Sequence, residues 1–164
     1  MKPSQTALLG LTLLLAPLTH AGESTTPDWR QTASSDEKVK NLTKVMPGAS
    51  TLMLQMGERY RNMYWAGKLG KWEFAEYQVE EIEEIVKTLI ITRPGRAETA
   101  QDFLDTGLHS FATAFKKRDW LTFKTAFEQM HVQCITCHAR NAHAFITLPK
   151  IPAMGNSLVL EVTP

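Results

Sequence analysis

The chain has 164 residues, with 18 Lys+Arg against 17 Asp+Glu, and 43% of it is apolar. With charge this balanced, no basic excess argues for a nucleic-acid partner, and no block of like charges marks a membrane-surface tail.

The first residues, MKPSQTALLGLTLLLAPLTHA, place Lys2 ahead of an apolar run from Ala7 to Leu18 and small residues at Thr19-His20-Ala21. This pattern predicts a secretory signal peptide over residues 1–21, cleaved after Ala21. The apolar run is only about 12 residues, against the ~20 that a spanning helix needs, so no membrane span is expected after cleavage. The leader takes Lys2 and no acidic residue with it, which leaves equal numbers of the two charges. The protein is expected to be exported, in a bacterium to the periplasm, with roughly 140 residues, enough for one domain with one core.

Residues 22–48 are polar, with Trp29 as the one large anchor. They read as a lead-in carrying a helical turn near Val39–Val45, closed by Pro47-Gly48. Four periodic segments follow. Met53, Met56, Tyr60, Met63 and Gly67 recur at spacings of three and four and predict a first helix ending at Gly70. Phe74, Tyr77, Ile82, Ile85 and Leu89 predict a second, ending at Arg93-Pro94-Gly95. Ala100, Leu104, Leu108, Phe111 and Phe115 predict a third, with Lys116-Lys117-Arg118 at its C-terminus, where cations suit the helix dipole. Asp119 caps the fourth, whose stripe is Trp120, Phe123, Phe127, Met130, Cys134 and Cys137.

The stretches "AGKLGKWEFAEYQVEEI" and "AFKKRDWLTFKTAFEQM" echo each other, each with Trp at the start of a returning helix. Two αα-hairpins with short connections predict an all-α fold, an up-down-up-down four-helix bundle over residues 49–141. The tail, 142–164, has prolines at 149 and 152 and is expected to be extended and to wrap the bundle.

Both cysteines lie in "CITCH", Cys134 to His138. C-x-x-C-H is the haem c attachment pattern, in which two thiols add across vinyl groups and the histidine ligates the iron. Residues three apart on a helix share a side, so both sulfurs reach one porphyrin edge with His138 beneath the metal. The rival readings lack support. A zinc site wants a second ligand pair. A thioredoxin-like dithiol sits at a helix N-terminus after a strand. A disulfide across so short a loop stabilises little.

Counting residues from the tight turns puts the start of the first helix level with His138. Met53 is the first candidate for the distal axial ligand and Met56 the second, with an open sixth position as the alternative. Met154, in the tail, is an outside candidate. His109 falls too high on its helix to reach the site, His131 falls on the proximal side, and His143 is expected to be exposed. Arg96, Arg140 and Arg93 are near enough in height to pair with haem propionates. Glu80, Glu81, Glu83 and Glu84 read as a solvated helix face. No Ser-His-Asp set, catalytic carboxylate pair or phosphate loop is placed by the pattern, so an electron carrier or haem-based binding protein is expected rather than an enzyme.

A haem c motif on the last helix of an exported bundle resembles the cytochrome c′ and cytochrome c-556 class. The stretches "MLQMGERYRNMYWAGKLGKWEFAEYQVEEIEE", "ITRPGRA" and "CITCHARNAHAFITLPKIP" are similar to those of a family of small exported monohaem bundles, over residues 47 to about 152. The Arg-Gln-x-x-Met opening of cytochrome c′ is missing from the first helix, so no axial ligand is carried over from that class. The resemblance implies one covalent haem c, one-electron transfer with periplasmic redox partner proteins, and a possible homodimer through the first two helices. A five-coordinate protein that binds NO or CO is the alternative.

Overall fold

The computed structural model describes residues 27–155. The signal peptide expected over residues 1–21 lies outside them, as does the end of the tail. All regular structure among the described residues is helical, and they divide into two compact units between Lys44 and Val45.

In the first unit, α1 (Trp29–Thr32) is a single turn capped by Asp28, whose carboxylate accepts from the Arg30 N–H at 3.0 Å. The second helix, α2 (Ser35–Val45), runs three turns where one was expected. Ser34 Oγ accepts from the Glu37 N–H at 3.3 Å, a side-chain cap the composition had obscured. Asp36 and Glu37 in the first turn and Lys44 in the last complement its dipole.

The second unit begins with α3 (Ala49–Lys68) and α4 (Trp72–Thr92). Gly70 turns the chain between them at φ 71°, a left-handed conformation that glycine adopts at little cost. Arg93-Pro94-Gly95 ends α4 as the sequence implies, and a 3₁₀ turn over Pro94–Arg96 follows. The third predicted helix is in fact two, α5 (Ala97–Gly107) and α6 (Phe111–Lys117). The break falls just after Gly107, where a Cβ would stand 3.2 Å from the Phe103 ring and 3.4 Å from Gln133 Cβ. A side chain there would press on both neighbours, and glycine is a poor helix former. Arg118 closes α6 in a left-handed conformation. Asp119 then caps α7 (Trp120–Arg140), accepting from the Thr122 N–H at 2.7 Å.

Helix α3 packs on α4 and α7, α4 also on α5 and α6, and α7 on α5 and α6. The buried stripe of α4 is Ala75, Gln78, Val79, Ile82, Ile85, Val86 and Leu89. Tyr77, expected in the core, is 44% exposed and Gln78 is wholly buried in its place. The Gln78 amide oxygen accepts from Arg59 Nη1 at 3.2 Å, and the Arg59 guanidinium also lies over the Tyr77 ring.

The contacts define two ends of this unit. At one, the two tryptophans that open α4 and α7 converge with Phe111 and Phe115 on Phe123, which is fully buried. At the other, the first turns of α3, the last of α4, the first of α5 and the last of α7 meet around a cavity. No helix among the described residues is long and apolar enough to cross a membrane.

Candidate functional site

Cys134, Cys137 and His138 occupy the last turns of α7, the helix whose start Asp119 fixes. Asn141 ends the helix: its side-chain amide donates to Cys137 O at 2.9 Å and to Thr99 Oγ1 at 2.7 Å, which ties the motif to the start of α5. Ala142 then takes a left-handed conformation (φ 60°), unusual for a residue with a Cβ, and the chain reverses. The His143 N–H returns to His138 O at 2.8 Å.

From His143 to Pro152 the chain has no regular structure and runs back over the motif as a strap. Four side chains meet its carbonyls. His138 Nδ1 lies 3.0 Å from Ile146 O, and His131 Nε2 lies 3.0 Å from Leu148 O. Tyr60 Oη donates to Pro149 O at 2.8 Å, and Trp65 Nε1 to Pro152 O at 2.9 Å. A carbonyl only accepts, so Nδ1 of His138 carries a proton, and in the neutral imidazole Nε2 keeps the lone pair that a metal requires. Burial holds the Tyr60 phenol well above its ordinary value, so it remains a neutral donor.

The motif forms one wall of a cavity of about 470 Å³. Facing it, α3 contributes Ser50, Met53, Met56 and Gly57, and α4 contributes Val86 and Leu89. Ala100 and Phe103 come from α5, and His143, Ile146 and Leu148 from the strap. Among the described residues, Arg96 is the only arginine or lysine in the lining. The walls are apolar with a few convergent polar groups, and the volume suits a small-molecule or cofactor site. Burial, with a smaller contribution from Cys137, pushes the Cys134 thiol up to about 12.

The structure thus brings Cys134, Cys137, His138, Met53, Met56 and Arg96 to one cavity. It does not bring Arg140 there. That guanidinium pairs with Glu98 at 3.0 Å and with Asp102, and so clamps the end of α7 to α5. Arg140 is two residues beyond His138, about 200° around the helix, and faces away from it. Arg93 reaches toward Gly48 at the start of α3 and does not line the cavity. His109 lines a separate shallow groove between α6 and α7, and Met154 is exposed and outside the cavity.

His143, expected at the surface, is half-buried and lines the cavity. Gly57, Asn141, Ile146 and Leu148 were not singled out from sequence. Gly57 carried a signal, a lone glycine inside a strong helical period; the strap residues carried none. Among the described residues, no three His, Cys, Asp or Glu side chains gather closely enough to hold a bare metal ion. No protein-family model, curated protein or solved structure matches the chain.

Proposed function

We propose that this protein is a periplasmic monohaem c-type cytochrome that carries one electron, built as an up-down-up-down four-helix bundle of α3, α4, α5 with α6, and α7. The observation that carries the reading is the cavity: two thiols and an imidazole from the last turns of α7 line it beside two methionines from α3. Haem fits these residues. The walls are apolar, both cysteines lie at one edge, and Arg96 is placed to neutralise a carboxylate.

Cys134 and Cys137 would each form a thioether with a vinyl group, the sulfur bonding one vinyl carbon and the proton going to the other. His138 would present Nε2 to the iron, with Nδ1–H held by the Ile146 carbonyl, the second contact typical of metal-bound histidine. Bound haem supplies a centre that gains and loses a single electron. Met53, or failing it Met56, would close the sixth position, and a thioether there raises the potential. Redox partner proteins in the same compartment would exchange the electron.

The dithiol alternative finds little support. A reactive cysteine needs an exposed, electropositive setting that lowers its pKa, whereas Cys134 is buried and its thiol is pushed up. Binding of a small gas is the second reading: were neither methionine to close the sixth position, the site would be open to NO or CO.

The deciding experiment is export of the full chain from a host competent in cytochrome c maturation. The purified protein gains the mass of one haem and keeps its colour after acid–acetone extraction, and Cys134→Ser or Cys137→Ser weakens or abolishes the attachment. A colourless protein with a Cys134–Cys137 disulfide refutes the proposal.

A further inference from the structure

We infer that the strap His143–Pro152 is a positioning element for His138, and that it is held from outside the cavity by Tyr60, Trp65 and His131. The inference rests on the haem reading for its consequence at the iron, but its geometry stands without it.

A neutral imidazole can carry its proton on either nitrogen, and its neighbours decide which. His138 lies in the last turn of α7 and can still turn about its side-chain bonds. The hydrogen-bond partner of its ring is the Ile146 carbonyl, eight residues on, at 3.0 Å. The strap therefore determines which nitrogen faces the cavity.

The strap does not hold itself. Among the described residues its one internal backbone hydrogen bond runs from Ile146 N–H to His143 O, at 2.9 Å, and the His143 N–H ties its start to His138 O. Beyond that point, side-chain donors from the helices fix it. Tyr60 and Trp65 are five residues apart on α3, about 7.5 Å along its axis. Their acceptors, Pro149 and Pro152, are three residues apart, and an extended proline-type step of that length covers about 9 Å. Proline fixes φ and brings no N–H of its own, so these two positions offer carbonyls to α3 on a stiff backbone.

The donors are rigid as well. Tyr60 is buried, with its ring centroid 4.6 Å from that of Phe127, and His131 is buried on α7. None of Tyr60, Trp65 and His131 lines the cavity. They would act on the site only through the strap. A carbonyl accepting from Nδ1 makes the imidazole a better donor at Nε2, which favours ferric iron. Loosening the strap therefore raises the reduction potential.

The test uses the exported holoprotein with Tyr60→Phe, Trp65→Phe and both together, against Tyr64→Phe as control. Tyr64 is a buried tyrosine one turn along α3 that makes no hydrogen bond to the strap. Hydrogen exchange of the His143 and Ile146 amides, the hydrogen-bonded strap amides among the described residues, and the midpoint potential are measured on each. The double variant is expected to exchange its strap amides at least about tenfold faster, the loss of two hydrogen bonds. Its potential rises, and the control moves neither quantity. Where the double variant does not fold, the single variants carry the same test with smaller shifts.

A freed strap with an unmoved potential overturns the inference, and so does a strap that remains protected in the double variant. If the purified chain carries no haem, it is the haem reading that has failed. The ¹⁵N spectrum of the His138 ring in that chain then decides: an Nδ1–H tautomer lost in the double variant sustains the strap's role, and a ring that does not change ends it.

Discussion

Two glycines of α3 predict opposite outcomes for one substitution. At Gly67 an added Cβ would stand 2.3 Å from Phe123 Cε1, inside any real contact distance. Phe123 has nowhere to go, since it is fully buried among the rings of Trp72, Phe111, Phe115 and Trp120. Overpacking of this kind costs about 1–3 kcal/mol, while alanine returns about 1 kcal/mol of helix propensity. Gly67→Ala is therefore neutral at best and loses up to about 2 kcal/mol. At Gly57 a Cβ meets no protein atom within 4 Å, so in the haem-free chain Gly57→Ala keeps the whole propensity gain of about 1 kcal/mol. Urea unfolding of the haem-free chains, followed by helical circular dichroism, should place Gly57→Ala above wild type and Gly67→Ala at or below it; haem content is measured on the exported proteins. Gly57→Phe carries the reasoning into the site, because its ring must occupy the cavity. Helicity should survive and haem content should fall. Gly57→Ala unfolding at or before Gly67→Ala would refute the packing argument, and a fully loaded Gly57→Phe would refute the placement of haem in this cavity.

If Met53 or Met56 ligates iron as proposed, replacing that residue with alanine should remove the weak long-wavelength ferric band of methionine-ligated haem, lower the potential and admit CO. Replacing the other should leave the spectrum unchanged; for Met56, which is buried, the packing loss is about 2–5 kcal/mol. A wild-type protein that takes up CO at once has an open sixth position and moves the assignment to gas binding. Asp119 gives a prediction in pH. The backbone N–H and hydroxyl of Thr122 hold its carboxyl below the ordinary 3.8, so the cap stabilises the fold above that pH and is lost as pH falls through the lowered folded value. Melts of Asp119→Ala and wild type should differ at neutral pH and converge in acid, and a constant difference across that range contradicts the linkage.

The helical pattern is legible wherever the chain is punctuated. Gly48, Gly70, Arg93-Pro94-Gly95 and Asp119 bound α3, α4 and α7 within a residue or two of where the sequence puts them. It is misleading where a stripe outlasts its helix. Ala100, Leu104, Leu108, Phe111 and Phe115 keep their spacing across the break after Gly107, because side-chain periodicity does not report where the backbone breaks. Tyr77 and Gln78 show the same limit in register. An aromatic is the better guess for a core, but Arg59 supplies the long-range partner that keeps a glutamine there.

The site is legible to the same depth. "CITCH" names two thiols and an imidazole, and counting along α3 and α7 from their turns puts two methionines at the same level. Those are questions of position along an axis. Arg140 asks a question of direction, and proximity to the motif does not answer it: Glu98 and Asp102 on α5 hold the side chain on the far side of α7. Nor does the motif say which nitrogen of His138 is free. That depends on Ile146, and Ile146 depends on where Pro149 and Pro152 meet α3, some 90 residues earlier in the chain. A local pattern can state the chemistry of a site. Its orientation is written in contacts between segments with no period in common.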